Sequence, residues 1–429
     1  MSNVTIRDIR TIFTEPDDTR LIIVKVETSE PDLHGVGCAT FTQRPTPVRA
    51  AVDDYLRPFL IGRDVADIED IWQSSYVSSY WRNGPVLNNA ISGVDQALWD
   101  IKGKMADMPV YDLLGGKARD AAPVYVHASG SSPQEVEDRI LGFMEQGFHH
   151  IRVQVATPGF LTYGNRSDAV TSRDPKDGPV WITKRVRDYE PGKKYAHPTR
   201  GGVFEPKPYI RTALGLFEHL RGKLGDKVEL LHDVHERIPP ILGVKFAKDV
   251  EQFNLFFLED LFSPEDNDYF RMVRQQCATP LAMGEIYNNP HEVVPMVTER
   301  LIDFLRIHIS QIGGITPARK LAALCEPFSV RTAWHGPNDT SPVGHAANLA
   351  LDLNAWNFGI QEYAIFPERT REVFPGCPEV RDGAMWGTDR TGLGIDVNEE
   401  LATKYPFKDR EFGGAWDTVR RADGTMVKP

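Results

Sequence analysis

The sequence predicts an α/β protein, built as a (β/α)8-type, modified TIM barrel with an α+β capping domain formed by N-terminal and C-terminal segments. Two observations favour this fold. After residue 121, eight short apolar runs alternate with helical stretches, as parallel strands alternate with helices in a barrel. Before that point, strand-like runs precede helical periodicity, which is typical of an α+β unit. An open doubly wound sheet is the alternative, but no glycine-rich phosphate loop follows the first apolar run.

The 429 residues exceed one compact domain, and we expect three segments. Residues 1–120 form the capping domain, in which residues 4–42 read as strands and a helical stripe follows. Residues 121–381 form the barrel. Residues 382–429 have weak periodicity and are expected to pack back on the capping domain. The helical stripe steps by 4, 3, 4, 3 and 4 residues through Leu87, Ile91, Val94, Leu98, Ile101 and Met105.

The eight apolar runs define the predicted barrel strands. They are PVYVH, HIRVQV, VELLHD, LFFLE, PLAMGE, IDFLRIH, VRTAWH and FGIQEY. Between the second and third runs lies a long segment near 157–205 that is rich in proline, glycine and charge. A segment of this length without internal periodicity is either a lid or disordered, and its spaced tyrosine and tryptophan residues favour a lid.

The composition narrows the function classes. The net charge of −11 argues against nucleic-acid or anionic-membrane partners, because both require a basic face. No apolar stretch reaches the roughly 18 residues of a membrane span, and the N-terminus lacks the apolar core of a leader. The four cysteines are far apart, which is typical of reduced thiols. We therefore expect a cytoplasmic protein.

Six of the eight runs carry a charged residue or histidine at or near their C-terminal end, at intervals of 26, 26, 21, 29 and 27 residues. This period matches one strand plus one helix, and barrel enzymes place their chemistry at the C-terminal ends of strands. The six residues are Asp233, Glu259, Glu285, Arg306, His335 and Glu362.

The first three of these residues are acids on consecutive predicted strands, so Asp233, Glu259 and Glu285 are expected to converge. Three carboxylates do not stay ionised side by side without a cation. An all-oxygen set suits Mg²⁺ better than Zn²⁺, which prefers nitrogen and sulfur. For each acid taken alone, a helix cap or a solvated strand end is the alternative. The triplet predicts a Mg²⁺ site.

The segment HDVHER places two histidines beside the first acid. Side chains alternate along a strand, so His235 is expected on the face of Asp233 and is a candidate general acid. His232 is expected to point toward the outer helices as a packed histidine. A third ligand or a core histidine is the alternative reading of His235.

Long ordered blocks run through nearly the whole chain: IGRDVADIEDIW, YWRNGPV and ALWDIKGK before the barrel, and HDVHERIPP, FLEDLFSPEDN, GEIYN, LRIHISQIGGIT, HGPNDTSPV and FGIQEY within it. These blocks resemble the enolase superfamily, and within it the mannonate dehydratase subgroup, also labelled starvation-sensing or D-galactonate dehydratase-like. The resemblance implies a Mg²⁺-dependent dehydratase that converts D-mannonate or a related aldonate to a 2-keto-3-deoxy acid. Such an enzyme removes the proton at C2 and expels the 3-hydroxyl. The resemblance also implies a homo-oligomer.

The resemblance assigns roles to single residues. The second strand, HIRVQV, lacks the lysine base of many relatives, and the subgroup's arginine-activated tyrosine matches Arg152 and Tyr163. His235 would then protonate the departing hydroxyl. A packing role on the lid is the alternative for Tyr163. The substrate contacts implied by the resemblance are His127, Glu285, Arg306, His335, Asp339 and Glu362.

Two of these contacts have an alternative role, since Arg306 and Glu362 could equally form a structural ion pair. Three departures from the subgroup's pattern also concern substrate specificity rather than the metal site. Thr42 replaces a common asparagine, the segment from Pro158 to Tyr163 is one residue shorter, and the C-terminus ADGTMVKP lacks a terminal tryptophan. We therefore expect an intact metal site with weak or absent activity on mannonate. An acid-sugar epimerase or racemase, or a non-catalytic binding protein, is the alternative.

Overall fold

The computed structural model describes residues 4–157, 204–408, 421, 425, 427 and 428. The chain divides into two compact units. The first unit comprises Met1–Val124 and Gly284–Arg410, and the second comprises Tyr125–Met283 and Glu411–Pro429. Nearly all of the predicted lid segment near 157–205 lies outside the described residues.

The first unit begins with an antiparallel sheet of three strands in the order β1–β2–β3. Its strands are β1 (Ile6–Thr14), β2 (Leu21–Thr28) and β3 (His34–Cys38). Residues with branched or aromatic side chains dominate the first two strands, which suits a pleated and half-buried surface. The prediction that residues 4–42 form strands is confirmed.

Helices follow this sheet along the chain. They are α1 (Pro45–Ala50), a π-helical turn (Ala51–Leu56), α2 (Arg57–Leu60), α3 (Ile68–Val77), α4 (Pro85–Met105) and α5 (Val110–Leu113). The predicted stripe lies on α4, where Ile91, Val94, Leu98 and Ile101 are buried. Met105, the last residue of the helix, is instead 46% exposed, so the stripe ends one step earlier than its periodicity indicates.

Helix α4 packs directly against β3 because glycines remove the side chains between them. A Cβ atom on Gly37 would lie 2.0 Å from the carbonyl oxygen of Gly93. Polar side chains of α4 also complete the hydrogen bonds of this edge strand. The Cys38 N–H donates to Gln96 Oε1 at 3.0 Å, and the Val36 N–H donates to Asp100 Oδ2 at 3.1 Å. The helix is therefore bonded to the sheet as well as packed on it.

The second unit contains parallel strands paired in sequence order, from β4 to β8. They are β4 (Ala121–Gly130), β5 (His150–Val155), β6 (Glu229–Asp233), β7 (Phe257–Glu259) and β8 (Leu281–Met283). Between them lie α6 (Pro133–Glu145), α7 (Pro206–Leu224), α8 (Pro240–Val250) and α9 (Asp268–Arg274). Every residue of β7 and β8 is buried, as expected of parallel strands covered on both faces.

The remainder of the first unit continues this alternation. Its strands are β9 (Phe304–Leu305), β10 (Arg331–Thr332), β11 (Gln361–Glu362), β12 (Glu379–Arg381) and β13 (Ala384–Trp386). Its helices are α10 (Pro290–Thr298), α11 (Ile315–Cys325), α12 (Pro342–Asn354), α13 (Glu368–Val373) and α14 (Glu399–Thr403). Strands β9 and β10 pair in parallel. Each of the eight predicted runs thus contains a strand, although the last three strands are only two residues long.

The residues after Asp382 contain elements that weak periodicity did not reveal. Asp382 and Gly383 have φ values of 51° and 70°, and they connect β12 to β13 in a two-residue hairpin. Strand β13 pairs antiparallel with the first residues of β4. On α14, the Glu399 carboxylate binds Arg10 and Lys25 of the N-terminal sheet, each at 2.7 Å.

None of the described helices combines the length and apolar character that a membrane span requires.

The close approach of α4 to β3 predicts that an alanine at Gly37 destabilises the protein, whereas an alanine at an unhindered glycine in another helix stabilises it. Gly37→Ala is expected to lower the free energy of unfolding by about 2–3 kcal/mol, because the new methyl group meets the rigid backbone of α4. Gly142 lies in α6, and nothing lies within 4 Å of the point where a Cβ atom would stand, so Gly142→Ala should raise stability by about 0.5–1 kcal/mol. Urea denaturation of both variants measures the two changes in the free energy of unfolding. Equal effects at the two sites would contradict the close packing of α4 on β3.

Candidate active site

Three buried acids cluster at the ends of two neighbouring strands in the second unit. Asp233 ends β6 and Glu259 ends β7, and the parallel register places these two residues opposite each other. Asp260 follows directly. One carboxylate oxygen from each of the three residues lies within 4.8 Å of the others. The predicted convergence of Asp233 and Glu259 is therefore present, and Asp260 joins them.

The backbone turns sharply where these strands end. His235, Glu236 and Asp260 have φ values of 50°, 49° and 43°. Residues other than glycine, asparagine and aspartate rarely adopt this left-handed region. Hydrogen bonds hold the turns: the Val234 N–H donates to Glu259 O at 3.0 Å, and the Glu236 N–H donates to Asp260 O at 2.7 Å. Backbone conformations of this kind cluster at functional sites, where the surrounding structure maintains them.

The Asp233 carboxylate is bound by an arginine and a histidine. The Arg152 Nη1 atom donates to Asp233 Oδ2 at 2.7 Å, and His235 Nε2 lies 2.6 Å from the same oxygen. The His235 backbone N–H donates to Asp233 Oδ1 at 2.8 Å. Burial opposes ionisation of this carboxyl, but the interactions with His235 and Arg152 outweigh it and lower the pKa of Asp233 below its usual range. Asp233 is therefore ionised at neutral pH.

The two histidines of HDVHER have different environments. His235 reaches Asp233, as predicted, but not through strand alternation, since β6 ends at Asp233 and the left-handed backbone of His235 turns its ring back. Burial lowers the pKa of His235 to about 4. The interpretation of His232 as a packed histidine is confirmed. Its Nε2 lies 2.8 Å from the Tyr209 hydroxyl and its Nδ1 lies 2.8 Å from Val153 O.

His127 lies beside Arg152 on the neighbouring strand. The two residues are partners in the parallel register of β4 and β5, and His127 Nδ1 lies 3.5 Å from Arg152 Nη2. Because Arg152 also binds Asp233, three adjacent strands contribute one connected row of polar side chains. Tyr163, the predicted base, lies outside the described residues.

A second polar group occupies the first unit, at the strand-end positions predicted from the spacing. Arg306 Nη2 donates to Glu362 Oε2 at 2.8 Å, and both side chains are almost fully buried. The Gly336 N–H donates to the same oxygen at 2.9 Å. The ion pair that the sequence left as an alternative for Arg306 and Glu362 is therefore present.

Glu285 and His335 belong to this second group. His335 Nε2 lies 3.1 Å from Glu285 Oε2 and 3.8 Å from Glu362 Oε2, and Arg306 Nη2 lies 4.0 Å from Glu285 Oε2. His335 thus contacts two acids: Glu285, which follows β8, and Glu362, which ends β11. The group thus places a guanidinium and an imidazole against two carboxylates.

The loop after β10 carries Asp339, another predicted substrate contact. Its carboxylate accepts a hydrogen bond from Thr42 Oγ1 at 3.3 Å, and burial raises the pKa of Asp339 to about 6. His308 was missed by the sequence reasoning. Its Nδ1 accepts the Ser310 N–H at 3.1 Å, so its Nε2 carries the proton and faces Thr340 Oγ1 at 3.1 Å. His308 therefore fixes the residue that follows Asp339.

The acid cluster of the second unit suits a hard divalent cation. Its donors are carboxylate oxygens, they are buried, and they lie close enough together to share one ion. Asp260 was missed as a member of this cluster: a second acid directly follows Glu259 in the sequence, but strand alternation predicts that it points the other way. Glu285 lies in the first unit, and its role as a metal ligand stays a prediction.

Comparison with known proteins gives a consistent result. Residues 1–115 match the mandelate racemase/muconate lactonizing enzyme N-terminal domain, and residues 142–401 match the enolase C-terminal domain-like family. A D-galactonate dehydratase family member of Musicola paradisiaca is 50% identical over 433 aligned residues that span 100% of both chains. One of Pantoea ananatis is 50% identical over 437, again across 100% of both chains.

Solved structures agree with the sequence matches. An enolase from Pantoea ananatis, crystallised with bound D-gluconate and Mg, superposes with a TM-score of 0.88 at 49% identity and covers 100% of both chains. A putative dehydratase from Zymomonas mobilis superposes with a TM-score of 0.77 over 93% of this chain and 98% of that one. Its identity of 24% shows the fold alone.

A capping domain at the N-terminus followed by a barrel domain with clustered acids defines the enolase-type enzymes. The chain belongs to the enolase superfamily and, within it, to the D-galactonate dehydratase family. The fold predicted from the sequence is confirmed by these matches.

The buried ion pair of Arg306 and Glu362 predicts a large stability effect. Glu362→Gln removes the carboxylate and leaves a buried guanidinium, which should lower the free energy of unfolding by about 3–5 kcal/mol. The exposed Glu372 provides the control, and Glu372→Gln should change stability by less than about 0.5 kcal/mol. Chemical denaturation measures both. If Glu362→Gln is as stable as the parent, the pair is not a structural one.

Proposed function

We propose that this protein is a Mg²⁺-dependent acid-sugar dehydratase that converts an aldonate to a 2-keto-3-deoxy acid. The observation that carries this proposal is the buried cluster of Asp233, Glu259 and Asp260, with Arg152 and His235 bound to its first member. A cation site beside a protonated guanidinium and an imidazole suits the removal of a proton next to a carboxylate.

The proposed metal ligands are Asp233, Glu259 and Glu285, as the sequence predicts. Asp260 lies within the same cluster as the first two and is a further oxygen donor. Bound at these residues, Mg²⁺ would supply positive charge that stabilises the negative charge developing on the substrate carboxylate after loss of the C2 proton. The family's relative from Pantoea ananatis, which binds D-gluconate and Mg, supports this part of the proposal.

The proposed base is the Tyr163 phenolate. Arg152 stays protonated at any working pH, and its charge lowers the pKa of a neighbouring phenol. Arg152 is itself held in place by Asp233 and borders His127. In this proposal Tyr163 takes the proton from C2, and the electron pair left on C2 forms a double bond to C3 as the C3–O bond breaks.

The proposed acid is His235. It gives a proton to the leaving hydroxyl at C3, so that water departs and the enol product converts to the 2-keto-3-deoxy acid. Burial lowers the pKa of His235 to about 4, whereas the Asp233 carboxylate, 2.6 Å away, favours the protonated imidazole.

The proposed substrates are D-gluconate and D-mannonate. D-Gluconate is favoured by the ligand of the Pantoea ananatis enolase. D-Mannonate is expected to react slowly at most, because Thr42, which binds Asp339, replaces the asparagine common in the mannonate dehydratase subgroup. The proposed contacts of the substrate are His127, Glu285, Arg306, His335, Asp339 and Glu362.

The reaction predicts a Mg²⁺-dependent keto-acid product. Incubation of the protein with D-gluconate, D-mannonate and a panel of other aldonates should give a 2-keto-3-deoxy acid, detected by NMR. Removal of Mg²⁺ by chelation, or the substitution Asp233→Asn, should lower the rate by roughly 10³-fold or more, since several kcal/mol of charge stabilisation are lost. Glu229→Gln, at the exposed start of the same strand, should keep the parent rate.

Three results would separate the proposal from its alternatives. Exchange of the C2 proton with deuterated solvent, without loss of water, would identify an epimerase or racemase. Tight binding of an acid sugar in calorimetry, with neither exchange nor product, would identify a non-catalytic binding protein. Either result overturns the dehydratase proposal while leaving the metal site intact.

The separate roles of the base and the acid can be resolved by isotope exchange. His235→Asn should lower dehydration by about 10²–10⁴-fold but keep C2 proton exchange, because proton removal precedes the departure of water. Tyr163→Phe should abolish both. His149→Asn, which changes an exposed histidine, is the control and should alter neither rate. Loss of C2 exchange in His235→Asn would show that His235 acts before or during proton removal instead.

A further inference from the structure

His308 is a buried histidine in the loop after β9, and the chemistry proposed above does not use it. Its side chain is buried, and burial lowers its pKa to about 4, so the ring is neutral and carries one N–H group. The Nδ1 atom accepts the backbone N–H groups of Ser310 at 3.1 Å and Gln311 at 3.4 Å. The proton is therefore on Nε2, which donates to Thr340 Oγ1 at 3.1 Å.

Through Thr340, His308 holds the turn that carries Asp339. The Thr340 N–H donates to Pro337 O at 2.9 Å, which closes a turn over residues 337–340. Thr340 is fully buried and closely packed, since a Cβ atom on Gly344 would lie 2.7 Å from its methyl group. A threonine side chain has few rotamers, so a hydrogen bond to its hydroxyl also restrains the backbone of the turn.

The same histidine is connected to a segment that holds Asp339 from its other side. Ser310, whose N–H binds His308, donates its hydroxyl to Cys38 O at 3.2 Å, at the end of β3. Four residues after Cys38, Thr42 Oγ1 donates to Asp339 Oδ2 at 3.3 Å. These contacts form a ring that starts and ends at Asp339, and His308 is its link between the loop after β9 and the turn.

One carboxylate oxygen of Asp339 is available for a ligand. Its Oδ2 atom accepts from Thr42, whereas its Oδ1 atom is buried and accepts no hydrogen bond from the described residues. A buried carboxylate oxygen without a donor is costly, because it has lost its contact with water. A hydroxyl group of a substrate would supply that donor. The direction of Oδ1 then decides which hydroxyl group is bound.

We propose that His308 is a positioning residue for substrate recognition: it holds Thr340 and thereby directs Asp339 Oδ1 at one hydroxyl group of the acid sugar. Since Asp339 contacts the substrate only under the proposed function, this role of His308 rests on that function. The alternative is a purely structural role, in which only Nδ1 matters because it holds the loop after β9. The two ring nitrogens therefore distinguish positioning from structure.

Two amide substitutions at His308 separate the two nitrogens. The side chain of His308→Asn can replace Nδ1 as the acceptor for Ser310 but is too short to reach Thr340, whereas that of His308→Gln can replace Nε2 as the donor to Thr340. Calorimetry in the presence of Mg²⁺ should show that His308→Asn binds D-gluconate about 10–100-fold more weakly than the parent, as for the loss of one hydrogen bond to a charged group. His308→Gln should recover most of this affinity.

The comparison has a control and a second variant. His149→Asn changes an exposed histidine and should bind as the parent does. Thr340→Val removes the hydroxyl that His308 binds, leaves the histidine unchanged, and should reproduce the weaker binding of His308→Asn. Tighter binding by His308→Asn than by His308→Gln would assign the effect to Nδ1 and overturn the positioning role.

A double-mutant cycle tests whether His308 acts through Asp339. Asp339→Ala should weaken binding by itself, and in that background His308→Asn should cause no further loss, because the hydrogen bond that His308 directs is already absent. Additive losses would show that His308 acts on the fold as a whole and would contradict the positioning role.

The proton position on His308 can be measured without any substrate. NMR of the histidine ring nitrogens should show a neutral ring with its proton on Nε2. A proton on Nδ1 would overturn the ring of contacts. If the parent binds no aldonate of the panel, the proposed function is overturned together with this role of His308. If the parent and His308→Asn bind D-gluconate equally, only the role of His308 is overturned.

Discussion

Acids buried close together must be balanced by positive charge or by hydrogen-bond donors, and this constraint organises the polar strand ends of both units. In the second unit, Arg152 and His235 bind Asp233. In the first unit, Arg306 binds Glu362 and His335 binds Glu285. Each acid at these positions is expensive to bury alone, because an uncompensated charge in a low-dielectric interior costs several kcal/mol. The partners therefore decide which acids stay ionised without a metal ion, and they hold the side chains in place before any ligand binds.

The backbone makes this arrangement possible through register and through the turns that end the strands. Parallel pairing places Asp233 opposite Glu259 and His127 opposite Arg152, so residues that are distant along the chain become direct neighbours. The turns then redirect the residues that follow. With ordinary strand geometry Asp260 would point away from Glu259, because side chains alternate. Its φ of 43° breaks this alternation and brings its carboxylate into the cluster.

These features explain which parts could be predicted from the sequence. The strands and the polar residues at their ends were predictable, since the apolar runs and their spacing follow from one strand plus one helix per repeat. The ion pair of Arg306 and Glu362 could only be left open, because a 2.8 Å contact between residues 56 apart depends on the whole fold. His235 was selected for the wrong reason, and Asp260 was missed, since both depend on a left-handed backbone that no local residue pattern indicated.

The charges of the acid cluster in the second unit explain why it suits a divalent cation. With its carboxylates ionised, the cluster of Asp233, Glu259 and Asp260 carries three negative charges, and Arg152 supplies one positive charge. The remaining two negative charges match a divalent cation, which then leaves the cluster neutral. His235 lies 2.6 Å from the Asp233 carboxylate, but burial lowers its pKa to about 4, so a neutral imidazole adds a hydrogen-bond donor and no positive charge to the cluster. With ionised carboxylates, the balancing charge beyond Arg152 is therefore left to a divalent cation.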